Sequence, residues 1–169
     1  RSVIAYLDFD QEGVGPQYLK GKNISRRGPQ LSSDGRYLAY LEGDGVAQLF
    51  LTPFPSADEP WQVSSETVGR CFWGRNPAQP TLYYYNSRGF AMSCVTIAFA
   101  DAGGAPVFGE PKRIFDVNSK GFHHSALSDP VRDGRRFLVP QRTDFGVQNK
   151  RKVVLDQNWL REFEDRSRQ

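Results

Sequence analysis

Four side chains near residue 125 have the types that are found in hydrolytic sites, because His123 and His124 precede Ser125 and Asp129. A histidine base beside a serine hydroxyl is the arrangement that activates a nucleophile. Adjacent side chains of an extended segment point to opposite faces, so His124 and Ser125 would diverge. Neighbouring histidines cannot both face one metal ion either, and no third ligand stands at a suitable spacing. We therefore interpret these residues as turn or groove positions that could contact a partner.

An acidic segment is the second candidate, since Asp8, Asp10 and Glu12 alternate before Gly13. Alternating acids can direct several oxygen ligands at one cation, as at the start of a calcium-binding loop. Position twelve of such a loop requires a bidentate carboxylate, and Leu19 stands there. The pattern favours an acidic hairpin turn. The common hydrolase, P-loop, zinc-protease and dinucleotide-binding motifs are also absent from the sequence. We predict a protein that is not an enzyme and that uses no cofactor or metal.

The composition is that of a β-rich chain with many turns: among 169 residues there are 12 Phe, 7 Tyr, 3 Trp, 16 Gly and 11 Pro. The net charge of +3 is too small to indicate a nucleic-acid surface. Basic clusters at 20–27 and 150–152 favour solvated loops, with contact to an anionic partner as the alternative. No apolar run approaches the length of about 20 residues that a membrane-spanning helix needs.

A strand, turn, strand pattern occurs three times. The copies are LSSDGRYLAY at 31–40, CFWGRNPAQPTLYYY at 71–85 and ALSDPVRDGRRFLV at 126–139. Each passes through a turn signal into large apolar residues. Leu31 and Trp73 are 42 residues apart, and Trp73 and Leu127 are 54 apart. The first spacing lies within the roughly 40–50 residues of a four-stranded propeller blade, and the second slightly exceeds that range.

The repeats predict an all-β fold of antiparallel four-stranded propeller blades, incomplete at about three blades, with a short C-terminal helix. The repeat domain spans 1–157 and contains an outer half-blade at 1–24, blades at 25–66 and 67–120, and a partial blade at 121–157. Strands are expected at 3–9, around 18, and at 30–32, 37–41, 48–54, 61–63, 71–73, 82–86, 91–99, 113–117, 125–127, 137–139 and 153–155. The segment 100–111 is rich in Gly, Pro and Ala and predicts a loop.

Two cysteines, Cys71 and Cys94, fall on the first and third strands of one predicted blade. Strands two positions apart are separated by about 9.6 Å, which exceeds the roughly 7 Å between the Cα atoms of a disulfide. We predict two free, mostly buried thiols.

Three blades cannot close a ring, because closed propellers need about four or more. Inner strands near Ser125 and Phe137 could pair with outer strands near Val3 and Tyr18 of a second copy, which would give a six-bladed ring. Otherwise the chain is an open arc or a fragment, and its exposed edges are covered by something else.

The C-terminal segment 158–169 predicts a short amphipathic helix that is capped by Asn158. Trp159, Leu160 and Phe163 share one face. So short a helix must dock, either on its own chain or on a partner. We predict that these three residues bind a partner.

A second contact surface is predicted from the aromatic residues. Trp61, Trp73, Tyr83, Tyr84, Tyr85 and Phe90 exceed what one sheet interface readily hides, and some should reach the surface beside arginines. Arginine with aromatic rings is a composition typical of protein interfaces. We select Arg75, Tyr84 and Arg88 as the patch.

The segments LSSDGRYLAY and ALSDPVRDGRRFLV resemble the TolB-like propeller repeat, whose blades open with Trp/Leu-Ser-Pro-Asp-Gly-Arg. The segment RRFLVPQRTDFGVQNKRKVVLDQNWLREF is similar to the end of bacterial multi-domain proteins that carry such a propeller, often behind a serine/threonine kinase domain. The resemblance covers about 30–163. Ser33 replaces the signature proline, and Gly74-Arg75 replaces Ser-Pro. The resemblance implies protein recognition, assembly or sensing, and an extracytoplasmic location.

Together these features predict a noncatalytic protein-interaction or scaffolding subunit of a larger assembly. Its partner would be another protein or a second copy, with no nucleic acid and no membrane span in this chain. The alternatives are a sensor or ligand-binding propeller from a larger kinase, and the gating propeller of a serine peptidase. A pocket with converging polar groups would favour the sensor.

Overall fold

A computed structural model describes residues 2–10, 15–19, 24–100, 104–117 and 137 of the chain. Eleven strands and no helix occur in these residues. The strands are β1 (Ala5–Tyr6), β2 (Gln17–Tyr18), β3 (Arg26–Leu31), β4 (Tyr37–Glu42), β5 (Gln48–Pro53), β6 (Trp61–Ser64), β7 (Val68–Trp73), β8 (Thr81–Asn86), β9 (Ala91–Ala98), β10 (Val107–Phe108) and β11 (Lys112–Asp116). The all-β prediction is confirmed for this part of the chain. The predicted helix at 158–169 lies outside the described residues.

The strands form three antiparallel sheets, and strands that follow one another in the chain are neighbours in each sheet. Sheet 1 is the hairpin β1-β2, and sheet 2 has the order β3-β4-β5-β6. Sheet 3 has the order β7-β8-β9, and β10 and β11 both pair with β9. The predicted units at 25–66 and 67–120 therefore each contain one meandering antiparallel sheet.

Four strands differ clearly from the sequence prediction. β1 is only two residues long, although 3–9 was expected to be extended. β3 and β7 begin earlier than expected. In each strand the pairing register shifts at a glycine, Gly28 or Gly69, and the strand continues on both sides of it. β10 lies in the segment that was predicted to be a loop. It forms because β9 is eight residues long and leaves Ile97 and Ala98 to pair with it.

The turn between β3 and β4 shows why the Ser-x-Asp-Gly-Arg pattern folds as it does. The Ser32 hydroxyl donates to Asp34 Oδ1 at 2.6 Å and accepts from the Tyr37 N–H at 3.0 Å. The Asp34 carboxylate also accepts from Arg36, at 3.1 Å from the backbone N–H and 2.7 Å from Nε. Gly35 has a φ of 72°, which favours glycine. The hydrogen bond from Ser32 and those from Arg36 lower the pKa of Asp34 to about 2.

Sheets 2 and 3 pack face to face and enclose the largest buried cluster in the described residues. The cluster contains Tyr37, Ala39, Leu41, Ala47, Leu49, Leu51, Val63, Val68, Cys71, Leu82, Tyr84, Val95 and Ile97. The first strands of the two sheets also touch, because Trp73 Nε1 donates to the Gln30 carbonyl oxygen at 2.9 Å. These two residues are 43 apart in sequence, close to the 42-residue spacing of the first two repeats.

The outer faces of both large sheets are also covered. On sheet 2, Leu38 and Tyr40 are buried together with Ile4 from sheet 1. On sheet 3, a second buried cluster is formed by Phe72, Tyr83, Tyr85, Met92 and Val117. The ring of Phe137 packs edge to face on Tyr83 and on Phe115. Sheets 1, 2 and 3 are therefore stacked in chain order.

The two cysteines are free, as predicted, and lie on β7 and β9. Cys71 is buried in the cluster between sheets 2 and 3. Cys94 is half-buried against the cluster on the other face of sheet 3. The two thiols thus point away from each other across one sheet, which excludes a disulfide between them.

Candidate functional site

The residues selected for the second contact surface do not meet on one surface. Arg75 lies in the loop between β7 and β8, and Arg88 lies in the turn between β8 and β9. Both are exposed, but the six residues of β8 separate them by roughly 20 Å at about 3.4 Å per residue. Tyr84 is 1% exposed in the core cluster. The structure therefore offers no single patch of Arg75, Tyr84 and Arg88.

The expectation of exposed rings holds at one position among the six aromatic residues named from the sequence. Phe90 is 42% exposed, whereas the tyrosines at 83–85 are all buried. Trp61 and Trp73 pack partly buried against the main cluster. Successive side chains of β8 point to opposite faces of sheet 3, and both faces are covered. Tyr84 is therefore buried on one face, and Tyr83 and Tyr85 are buried on the other.

Other predicted positions lie outside the described residues: Trp159, Leu160, Phe163, His123, His124, Ser125 and Asp129. Of the acidic turn, Asp8 and Asp10 are described, and the Asp10 N–H donates to Asp8 Oδ1 at 3.1 Å. That contact is the local hydrogen bond of an Asx turn. Within the described part of the chain, no group of three or more His, Cys, Asp or Glu side chains is placed to hold a metal. Nor does that part contain a helix long and apolar enough to cross a bilayer.

Sheet 1 carries an exposed apolar surface that the sequence reasoning did not select. Its first segment alternates strictly, with Ile4 buried on sheet 2 and Val3 and Leu7 facing away from it. Val3 is 69% exposed and Leu7 is 54% exposed. Tyr18 pairs with the exposed Ala5 and is itself 64% exposed. We call Val3, Ala5, Leu7 and Tyr18 the hairpin face.

A polar groove lies between sheets 2 and 3, with a volume of about 340 Å³. The end of β6 and the connection to β7 form one wall, and β11 forms the other. Its polar lining consists of Ser64, Ser65, Glu66, Tyr84, Asn86, Ser93 and Arg113. We call this feature the inter-sheet groove.

The floor of the inter-sheet groove is a cluster of hydroxyl groups. The Tyr84 hydroxyl lies near the side chains of Ser64 and Ser93, which act to lower its pKa, and all three residues are buried. Burial raises the pKa of Tyr84, and the nearby Glu66 carboxylate raises it further. Ser64 Oγ also accepts from the Glu66 N–H at 3.0 Å. The floor therefore presents neutral groups that can both donate and accept hydrogen bonds.

The walls of the groove carry opposite charges. Glu66 is exposed on the connection between β6 and β7, and Arg113 is exposed on β11. Arg113 is held opposite Ser93 by the pairing of β11 with β9, and its guanidinium forms an ion pair with Asp116. A single ligand in the groove would lie between the Glu66 carboxylate on the connection and the Arg113 guanidinium on sheet 3.

Sequence reasoning missed the groove because its residues come from three separate segments, 63–66, 84–93 and 111–113. Serine and asparagine near strand ends are common, so their types alone carried no signal. Comparison with protein-family models finds no match to this sequence, and comparison with curated proteins finds none either.

Proposed function

We propose that this chain is a noncatalytic protein-association module, built from propeller-type blades, and that two copies associate through the hairpin face. The supporting observation is the exposure of Val3, Leu7 and Tyr18 on one side of sheet 1. The other side of the same hairpin is buried on sheet 2. Contiguous apolar surface of this kind marks association sites in soluble proteins.

The propeller-type arrangement is supported by antiparallel sheets that are stacked in chain order. Gln30 and Trp73, which hydrogen-bond between the first strands of sheets 2 and 3, are separated in the sequence by about one repeat length. The Ser-x-Asp-Gly-Arg turn between β3 and β4 has the residues of the TolB-like signature apart from its proline. A face of sheet 1 that receives another sheet would continue the same stacking. The assembly role and the extracytoplasmic location rest on the resemblance to that repeat.

A second copy is the occupant that we propose for the hairpin face. If two such faces pack antiparallel about a two-fold axis, the exposed side chains of Val3, Leu7 and Tyr18 are covered by their counterparts in the other copy. An isologous contact of this type is the commonest form of homodimer.

The test is the mass of the full chain in solution, measured by light scattering over a wide concentration range. We expect a weak dimer, since the hairpin face comprises only four side chains. A Leu7→Ser, Tyr18→Ser variant should remain monomeric. Val46→Ser is the matched control, because Val46 is 52% exposed in the turn between β4 and β5, and it should dimerise like the parent chain.

A parent chain that stays monomeric at all concentrations would contradict the proposal, as would a double variant that dimerises normally. Thermal unfolding of each variant shows that the sheets are intact.

A further inference from the structure

We propose that the inter-sheet groove binds a small zwitterion of the α-amino acid or short-peptide class. The ammonium group would lie at Glu66 and the carboxylate at Arg113. This site is separate from the hairpin face, which lies beyond sheet 2, and its function does not depend on dimerisation.

Size is the first argument. The groove is open to solvent on one side and has a volume of about 340 Å³, near the lower end of the roughly 300–1,000 Å³ of small-molecule pockets. It is walled by two sheets that are packed on a common core, so its shape is largely formed before a ligand arrives. A small ligand would contact both walls at once.

Charge is the second argument. A ligand with two negative groups would be repelled by Glu66, and one with two positive groups would be repelled by Arg113. The guanidinium has five N–H donors in a planar fork, so its ion pair with Asp116 leaves donors for a ligand carboxylate. A ligand with one charge of each sign satisfies both walls.

The floor supplies the third argument. The hydroxyls of Ser64, Tyr84 and Ser93 are buried beneath the space between the charged walls. Hydroxyl groups can rotate to donate or accept, so they can hydrogen-bond to the amide N–H or carbonyl of a short peptide. Asn86 keeps the rim in place, since its Oδ1 accepts from the N–H groups of Arg88 and Gly89 at 3.0 and 2.7 Å.

The probe for this proposal is alanyl-alanine, compared with its N-acetyl and C-terminal amide forms, and titrated into the full chain by calorimetry or NMR. The zwitterionic dipeptide should bind. The acetylated form lacks the ammonium and the amide form lacks the carboxylate, so each should bind at least about tenfold more weakly, as expected for loss of one charged hydrogen bond.

Two exposed-site variants assign the charges to the walls. Glu66→Gln should weaken binding of the dipeptide about tenfold but leave the weak binding of the acetylated form unchanged. Arg113→Gln should also weaken binding of the dipeptide about tenfold, but it should leave the weak binding of the amide form unchanged. Glu110→Gln and Arg75→Gln are matched controls, because both residues are exposed and outside the groove lining.

Tyr84→Phe tests the floor, because it removes one hydroxyl and keeps the ring in the core. It should weaken binding of all three compounds by a similar factor. The proposal fails if the dipeptide does not bind at about 10 mM, which corresponds to a free energy weaker than roughly 3 kcal/mol. It also fails if the three compounds bind equally, or if the control variants weaken binding as much as Glu66→Gln and Arg113→Gln.

Discussion

Sheets 2 and 3 are both meandering antiparallel sheets that pack on each other, and their differences are concentrated at two places. The turn after the first strand is short and tightly hydrogen-bonded in sheet 2, but it is the longer loop 74–80 in sheet 3. The fourth strand position is filled by β6 alone in sheet 2. In sheet 3 it is divided between β10 and β11.

The divided fourth position explains where the inter-sheet groove comes from. β9 is eight residues long and therefore pairs with two strands on the same side. β10 pairs with its last two residues, and β11 pairs with residues 91–94. The pairing with β11 places Arg113 opposite Ser93, beside the groove floor. Among the described residues, sheet 2 has no corresponding second strand along β5. Sheet 2 therefore contributes Ser64 to the floor, the connection between the sheets contributes the acid Glu66, and sheet 3 contributes Tyr84, Ser93 and the cation Arg113.

The largest expected effect tests whether the two units fold as one. Leu49 in sheet 2 and Leu82 in sheet 3 are both fully buried in the shared cluster. Replacing either with Ala should reduce the free energy of unfolding by about 2–5 kcal/mol, because a cavity is left in packed surroundings. Denaturant unfolding followed by fluorescence and by circular dichroism measures the loss.

Both variants should show one transition that is shifted by similar amounts with both probes. Leu31→Ala is a suitable control, since that side chain is 48% exposed, and it should change stability by about 0.5 kcal/mol or less. Two separate transitions, with only one of them moved by each substitution, would mean that sheets 2 and 3 are independent units.

A smaller effect is expected from the two turns. Asp34 accepts hydrogen bonds from Ser32 and Arg36, whereas Asn76 in the corresponding loop of sheet 3 accepts one side-chain bond, from the Ala78 N–H at 3.1 Å. Asp34→Ala should therefore cost about 1–2 kcal/mol, and Asn76→Ala about 0.5–1 kcal/mol. Equal losses in denaturant unfolding would contradict the idea that only sheet 2 keeps the tight form of the turn.

The charge of Asp34 gives this comparison a pH dependence. Its pKa is lowered from 3.8 to about 2 in the folded chain, so its contribution to stability is fully present above pH 3.8. That contribution is lost as the pH falls from 3.8 through about 2, because over this range the unfolded chain binds a proton at Asp34 that the folded chain does not. In Asp34→Asn the decline of stability between pH 3.8 and 2 should be shallower than in the parent chain. An unchanged decline would contradict the assignment.

Much of sheet 2 could be predicted from the sequence because its determinants are local. Asp34-Gly35 gives the turn, and the apolar residues that follow it give β4. β10 could not be predicted, since Val107 and Phe108 are extended only through pairing with β9, in a segment whose composition is that of a loop. Tyr84 was assigned to the surface because a single sequence does not show that a strand is covered on both faces.

The smallest expected effect is a difference in reactivity between the two thiols, which lie on opposite faces of sheet 3. Cys71 lies between the sheets and is 3% exposed, and burial raises its pKa to about 12. Cys94 is half-buried on the other face, and burial also raises its pKa, although Lys112 acts in the opposite direction. Because the thiolate is the reactive form, both should be slow at neutral pH, with Cys94 the faster.

Mass spectrometry after timed alkylation distinguishes the two thiols. In the parent chain Cys94 should be modified first. In Cys94→Ser the remaining Cys71 should react at a rate that follows global unfolding, so that Leu82→Ala accelerates it and Leu31→Ala does not. If Cys71 is alkylated as fast as Cys94 in the folded chain, sheets 2 and 3 must separate transiently without global unfolding. The groove that lies there would then be formed by a mobile interface, and its charged walls would not be held at a fixed separation.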